Sequence, residues 1–436
     1  MVYSCYGLYE ITQKKGMDMR RIFAMVLVAL MVWAQAGFAA TTQVDALIKK
    51  LVDKGILTQD EGDQLKNEVA YDEKTLREEN VKKDTPEWVQ NTKLSGDLRV
   101  RHQYEKRNDS TDLDRNRGRI RARLNIETKI NDKVKGVFGI ATDGGNPRSN
   151  NLSFGSTFAK GNVVVNKVYG QYTPNDRWTL TAGKMDNPIW EPMEFLWDGD
   201  ITPEGGAVRY DYKLNDSTKL FLLGTAFQLS ESASNEADPF MYVLQGGTMI
   251  KLGEKVDVKL TGMFNGADNI DKTTLSNRPT SPSNAANTTN GAGQYVYHYS
   301  QPVAALEVGF NDPLGEDFPV YIPRVGFFGE YTKNPSPDNK NVAWMAGGYM
   351  GNAKVNGWKT WKITSAYKVL GADAWLDAFP DSDFYGGATD TKGYESILEV
   401  GLAKNVSFVV DYYRTERVKA AKAQESVLQT DINFKF

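Results

Sequence analysis

Cysteine is almost missing from this chain: its one residue is Cys5. A disulfide framework, a CxxCH haem attachment and a cysteine-ligated zinc or iron–sulfur centre are therefore excluded. Histidine is nearly absent too. His102 and His298 are too few for a multi-histidine metal site. Long apolar runs are lacking, with one exception: 22–38 spans 17 residues, short for a membrane-spanning helix. It follows Arg20 and Arg21 and ends on Ala36, Gly37, Ala39 and Ala40, the layout of a secretory signal peptide. Cleavage is expected after Ala39, with Ala36 as the alternative, and residues 1–18 are expected to be an over-long start, with Met19 or Met17 initiating. No strong excess of one charge exists either. Residues 1–40 carry four basic and two acidic residues; without them 48 basic and 53 acidic remain. A balance of about −5 argues against a nucleic-acid partner.

What is present is period-two alternation. The stretch from Gln424 to Phe436 places Leu428, Thr430, Ile432, Phe434 and Phe436 on one face and Val427, Gln429, Asp431, Asn433 and Lys435 on the other. Alternation starts at Lys93 and predicts sixteen strands: 93–104, 117–130, 133–142, 162–173, 176–185, 205–214, 218–229, 240–252, 255–266, 299–310, 322–333, 341–351, 357–369, 393–403, 405–416 and 424–436. In the second, Ile120, Ala122, Leu124 and Ile126 oppose Arg119, Arg121, Arg123 and Asn125. Alternation alone does not separate a barrel around water from a soluble barrel with its charges outside. The connections do. They run long, short, long, short, and short turns at one end with long loops at the other mark a transmembrane β-barrel. Two short-side connections, 311–321 and 352–356, are somewhat longer than the rest. An even strand count brings both termini to the short-turn end. Abundant tyrosine (21 residues) fits the same class, with Tyr104, Tyr172, Trp178, Tyr212, Tyr331, Tyr367 and Tyr412 as candidate interfacial girdles.

Ahead of the strands, Val44, Leu47, Ile48, Leu51 and Val52 recur at helical spacing, and Thr58 to Glu61 (TQDE) reads as an N-cap with acids in the first turn. The expected organisation is residues 1–39 removed, 40–92 a short periplasmic helical segment, and 93–436 an all-β, antiparallel transmembrane barrel.

The signal peptide, VDALIKKLVDKGILTQDEGDQL (44–65), LWDGDITPEGGAVRY (196–210) and the final Phe436 together resemble Gram-negative outer-membrane porins of the kind with a helical leader before a sixteen-strand barrel. The resemblance spans Arg20 to Phe436. It implies a passive outer-membrane channel that needs no cofactor, assembled as a homotrimer in contact with lipid and lipopolysaccharide. The terminal Phe436 resembles the signal read by the barrel-assembly machinery.

Two features are candidates for selectivity. The first is an arginine wall: Arg99, Arg101, Arg117, Arg119, Arg121 and Arg123 share the charged face of the first two strands, with Arg209 and Arg324 on later strands. Neighbouring strands lie about 4.8 Å apart, so these groups form one basic surface unless nearby acids such as Asp97 or Glu127 pair with them. The second is loop 186–204, DNPIWEPMEFLWDGDITPE. Its acids are Asp186, Glu191, Glu194, Asp198, Asp200 and Glu204, and Trp190, Phe195 and Trp197 make it too apolar to stay in solvent. As the third external loop it is expected to fold inward and narrow the pore, its acids facing the arginines and setting a field across the passage. The alternative is an external loop that binds divalent cations or faces lipopolysaccharide. Loop 267–298, polar until Tyr295, reads as mobile and external. An enzyme is not expected: no GxSxG occurs, and His102 sits on the apolar face of its strand. Two further readings stay open, a channel specific for an anionic or phosphorylated solute and a scaffold barrel for a partner.

Overall fold

The computed structural model describes residues 48, 50–54, 58–64, 86–108, 113–143, 145–231, 238–272, 274–275, 278, 287–315, 321–418 and 424–436. Contacts divide the chain into two units, one up to Pro86 and one from Glu87 to Phe436. In the first, the expected cap is made. The Thr58 amide and hydroxyl both donate to Glu61 Oε2 (2.8 and 2.9 Å), and the Glu61 amide donates to Thr58 Oγ1 (3.3 Å). The signal segment, its cleavage point and most of the helical leader lie outside the described residues.

The second unit opens with a one-turn helix, α1 (Glu87–Gln90), and then holds the barrel. Its strands are β1 (Thr92–Asn108), β2 (Leu113–Lys129), β3 (Val134–Asp143), β4 (Asn162–Asn175), β5 (Trp178–Lys184), β6 (Glu204–Lys213), β7 (Thr218–Gln228) and β8 (Phe240–Leu252). The circuit continues with β9 (Val256–Asp268), β10 (Tyr299–Asn311), β11 (Arg324–Lys333), β12 (Val342–Gly351), β13 (Trp361–Leu370), β14 (Thr391–Ala403), β15 (Val406–Arg417) and β16 (Gln424–Lys435). Each pairs antiparallel with its neighbours, and β16 closes the ring on β1 from Asp97↔Lys435 to Asn108↔Gln424. A two-residue strand, Leu152–Ser153, adds to β2 from the loop after β3. Sixteen strands thus form a closed antiparallel barrel among the described residues. Closure leaves no edge, which is what allows a sheet to sit in lipid.

The faces are those of a membrane barrel. Outward positions are apolar yet bare: Leu98, Val100, Leu222, Leu244, Phe264 and Phe327 are 43–62% exposed. Their inward neighbours Arg101, Gln103, Gln245 and Asn265 are buried. A soluble barrel would reverse this. Aromatic belts mark both rims. Tyr172, Trp178 and Tyr212 lie toward the short turns, with Trp178 4.7 Å from Tyr210. Tyr331, Trp344, Tyr367, Tyr394 and Tyr412 lie toward the loops, with Tyr367 4.6 Å from Tyr394.

The boundaries that differ most from expectation lie at two connections. β1 and β2 run on to Asn108 and from Leu113, so the connection expected as a long loop at 105–116 is only 109–112. The ladder there is tied by ion pairs Arg117–Glu105 and Arg107–Glu425, so it continues after the apolar pattern has stopped. Conversely, β13 starts at Trp361 rather than 357, which lengthens the preceding turn to 352–360.

Candidate functional site

The inner wall is divided into two halves. From β7 to β13 it is largely apolar: Phe221, Leu223, Phe227, Met241, Val243, Met263, Val303, Phe328 and Met345 are all under 9% exposed. Inward loops cover it. Phe195, Leu196 and Trp197 from the loop between β5 and β6, Ile270, Tyr295 and neighbours from the loop after β9, and Trp375 and Leu376 from the loop between β13 and β14 join Phe227, Met241, Val243, Met263, Val303, Phe328 and Met345 in one cluster. Trp197 stacks on Phe379 at 4.8 Å and meets Trp375 edge-on at 6.1 Å. This is the apolar, or dry, half, although Gln245, Asn265, Gln301 and Glu330 are also buried on it and Lys259 and Arg324 face inward nearer the short turns. From β14 round through β16 to β2 the wall is charged, with Glu395, Asp411, Glu425, Gln429, Asp431, Arg101, Glu105, Arg119 and Arg121 buried.

The loop between β5 and β6 folds inward, as its tryptophans predict. Its partner, not foreseen from the sequence, is GADAWLDAFPDSDFYGGATD (371–390), the seventh external loop. The same signal was available there: apolar and acidic residues mixed in one connection. Lys368 on β13 pins both loops. Its fully buried ammonium pairs with Glu395 and with Asp381 (3.2 Å) and donates to the Glu194 carbonyl (2.6 Å). Arg148, from the loop after β3, donates to the carbonyls of Asp377, Pro380 and Gly387 (3.3, 3.2 and 2.9 Å). Asp377 in turn accepts from Arg278, the Asn287 amide (3.0 Å) and the Tyr295 hydroxyl (2.9 Å). The described part of the loop expected to be mobile is therefore fastened at Arg278, Asn287 and Tyr295.

Between the charged wall and the two loops lies a polar cavity of about 270 Å³. Arg99, Arg101, Arg121, Arg123 and Arg148 line it, against Glu194, Asp198, Asp200, Asp383 and Asp411. Of the arginines predicted as a wall, the first four reach this cavity, and each is paired. Arg101 forks onto Asp431 with two 2.8 Å bonds and reaches Asp383 at 3.3 Å. Arg121 and Arg123 share Asp97 (2.8 and 2.7 Å) and approach Asp200 (3.6 and 3.1 Å). Arg99 lies 3.3 Å from Asp431. The unbroken basic wall is thus corrected to a lattice of ion pairs, because β16 and the loops add Asp431, Asp200 and Asp383 to the Asp97 that β1 supplies. Arg117 pairs with Glu105, and Arg119 binds Gln103, Ser149 and the Asn151 carbonyl. Arg209 pairs with Asp211 on its own strand, and Arg324 with Asp257 and Tyr349; neither lines the cavity.

The loop acids also separate. Asp200 faces the arginines and is braced by the Asn150 amide (3.2 Å). Asp198 accepts the amides of Asp200 (2.9 Å) and Ser382 (2.8 Å), tying the two loops together. Glu194 lines the cavity. The other three do not face the arginines. Asp186 binds Lys167 and the Tyr169 hydroxyl. Glu191 accepts the amides of Phe195 and Leu196 on the dry side. Glu204 begins β6 on its outward face and pairs with Lys184 at 2.8 Å. The strand begins one residue earlier than expected, at Glu204.

Burial shifts the loop carboxyls unevenly. Removal from water, with Asp381 and Asp200 nearby, pushes Asp198 up to about 8. Burial raises Glu194 and Asp381 as well. Enclosure also acts to raise Asp383, but Arg101, Gln429, Arg119 and Arg117 outweigh it and hold it below the usual carboxylate range. Glu194, Asp198 and Asp381 each bring one oxygen within 4.8 Å of the others, the spacing of a cation site. Lys368, 3.2 Å from Asp381, already places a positive charge there.

Fold and site together define an outer-membrane channel of the porin type. The chain belongs to the family described as "Putative porin", whose model matches residues 104–302 and 320–436. Among solved structures it is similar to OprB of Pseudomonas putida at 10% identity, with a TM-score of 0.50 over 80% of this chain and 95% of that one. It is also similar to the outer-membrane channel DcaP of Acinetobacter baumannii, at 14% identity and a TM-score of 0.43 over 79% of this chain and 97% of that one. A triple mutant of the Rhodopseudomonas blastica porin matches at 11% identity and a TM-score of 0.42, covering 79% of this chain and all of that one. No curated protein matches the sequence.

Proposed function

We propose that this porin passes small hydrophilic solutes passively, that the path is confined to the charged half of the barrel, and that selection occurs at the cavity between the arginines and the two inward loops. The observation that carries this reading is the cavity itself, with guanidinium groups on the β1–β2 side and carboxyls from both loops opposite, while a dry core fills the other half. Opposed fixed charges set a field across the passage, which favours ionic and dipolar solutes over apolar ones. Because burial raises Asp198 to about 8 and raises Glu194 as well, the positive side is expected to dominate near neutral pH and anions to be preferred. Nothing in this mechanism requires a cofactor or catalysis. A homotrimer in lipid and lipopolysaccharide, assembled through the Phe436 signal after cleavage near Ala39, completes the proposal.

A solute-specific channel is the second reading. It is favoured by the small cavity and by the lattice that fixes its side chains. The reversal potential of the refolded protein in a planar bilayer under a salt gradient tests the first reading: anion preference that falls when Arg121 and Arg123 become Ala supports it, and cation preference overturns it. Conductance that saturates at low solute concentration supports the second.

A further inference from the structure

The exceptional turn at the short-turn end, NAKVNGWKT (352–360), is firmly built. The Trp361 amide donates to Asn352 Oδ1 (2.9 Å), and the Asn352 amide to the Trp361 carbonyl (2.7 Å). Two further bonds draw it over the neighbouring β14–β15 turn: the Asn405 amide donates to Asn356 Oδ1 (2.8 Å), and the Gly401 amide to the Thr360 carbonyl (2.8 Å). A Cβ at Gly401 would collide with the Gly357 carbonyl, so glycine is what permits the close approach.

Beneath this turn is a recess of about 390 Å³, lined by Lys354, Lys362, Lys435, Glu399, Asn405 and Ser407 among others. Lys362 is on the same face of β13 as Lys368, Glu399 on that of Glu395, Ser407 on that of Asp411, and Lys435 on that of Asp431. All those reference residues are buried inside, so the recess opens into the barrel interior. Three ammonium groups share it with one carboxylate. Among the described residues, no ion pair joins Lys354, Lys362 or Lys435 to an acid; Lys362 instead lies 4.6 Å over the Tyr349 ring. The contrast with the cavity above is sharp, because every predicted wall arginine there is paired. Along β16 the two sites are six residues apart, from Gln429 to Lys435, or about 20 Å at strand rise.

We propose that this recess binds a small oxyanion, the phosphate or carboxylate group of a solute that has cleared the cavity. Three ammonium groups against one carboxylate leave the concavity with an excess of positive charge, and an anion relieves the repulsion. Compact ammonium groups with rotating donors suit a small rounded anion better than planar, forked recognition. Three solvated lysines on a flexible turn would explain the sequence equally well. They would not explain a turn hydrogen-bonded over a recess or the two lysines placed on the inward face. The proposal rests on the channel reading for its source of anions, and the test separates the two.

The probe is inorganic phosphate, followed by broadening of its phosphorus resonance with the refolded protein in detergent. The triple variant Lys354→Gln, Lys362→Gln, Lys435→Gln is expected to bind roughly tenfold more weakly. Lys354→Gln alone, in the exposed turn, should show a smaller loss in a barrel of unchanged heat-modifiable mobility. Asp200→Asn should leave the recess component intact. Phosphate binding that is absent, or unchanged in the triple variant, overturns the proposal. Lysine-dependent binding by a protein that does not conduct would sink the channel reading and leave the recess standing.

Discussion

The two halves of the barrel interior solve opposite problems with the same backbone. In the dry half, β7 to β13 present apolar side chains on both faces, so Leu222 meets lipid while its neighbour Leu223 packs inward with Met185, Ala207 and Ile189. In the charged half, the inward face carries arginines and acids that water and ion pairing must satisfy. The dry half fixes where the loops sit, and the charged half decides what passes them. Lys368 lies at the seam, joining a strand of one half to both loops and to Glu395 of the other.

The comparison breaks first at that seam. Lys368→Met leaves Asp381 and Glu395 buried without their cation, which should cost about 3–5 kcal/mol. It should appear as earlier thermal unfolding of the barrel and, with both loops loosened, as larger single-channel conductance. A rise in conductance without loss of stability would place the seam elsewhere. Trp375→Ala probes the dry half alone. Loss of a large buried side chain costs about 3–5 kcal/mol where the site cannot collapse; inward loops can close part of the gap, so an effect below that of Lys368→Met is expected in the same melting experiment.

Within the charged half the effects are smaller and electrostatic. Asp200→Asn removes the loop acid nearest Arg121 and Arg123. It should move the reversal potential toward stronger anion preference by roughly two- to threefold in permeability ratio. The pH dependence has a definite sign. Asp198 is neutral below about 8 and negative above it. Anion preference should therefore hold near neutrality and weaken as pH rises through about 8, and Asp198→Asn should flatten that change. Glu204→Gln, on the outward face beside Lys184, should leave selectivity unchanged; an effect comparable with that of Asp200→Asn would mean β6 is oriented differently.

Much of this architecture was legible in the chain. Period-two alternation with long and short connections in turn gave the strand number, and the mixture of tryptophan and acid in loop 186–204 gave its inward course. The dry half had a signal that was passed over: KLFLLGTAF and FMYVL are apolar on both faces, which a water-lined wall would not be. The second inward loop had one as well, in Trp375 and Phe379 among five aspartates.

By itself the sequence determined the barrel, its closure and which face meets lipid, because side-chain alternation repeated strand by strand and connections that run long and short in turn together specify them. Only the tertiary structure decided which charges remain free. Arg101 meets an acid 330 positions away across the closing seam, and Asp200 reaches β2 from a distant loop. Ion pairing acts over a few ångströms in space, and ring closure brings together residues that no local pattern relates.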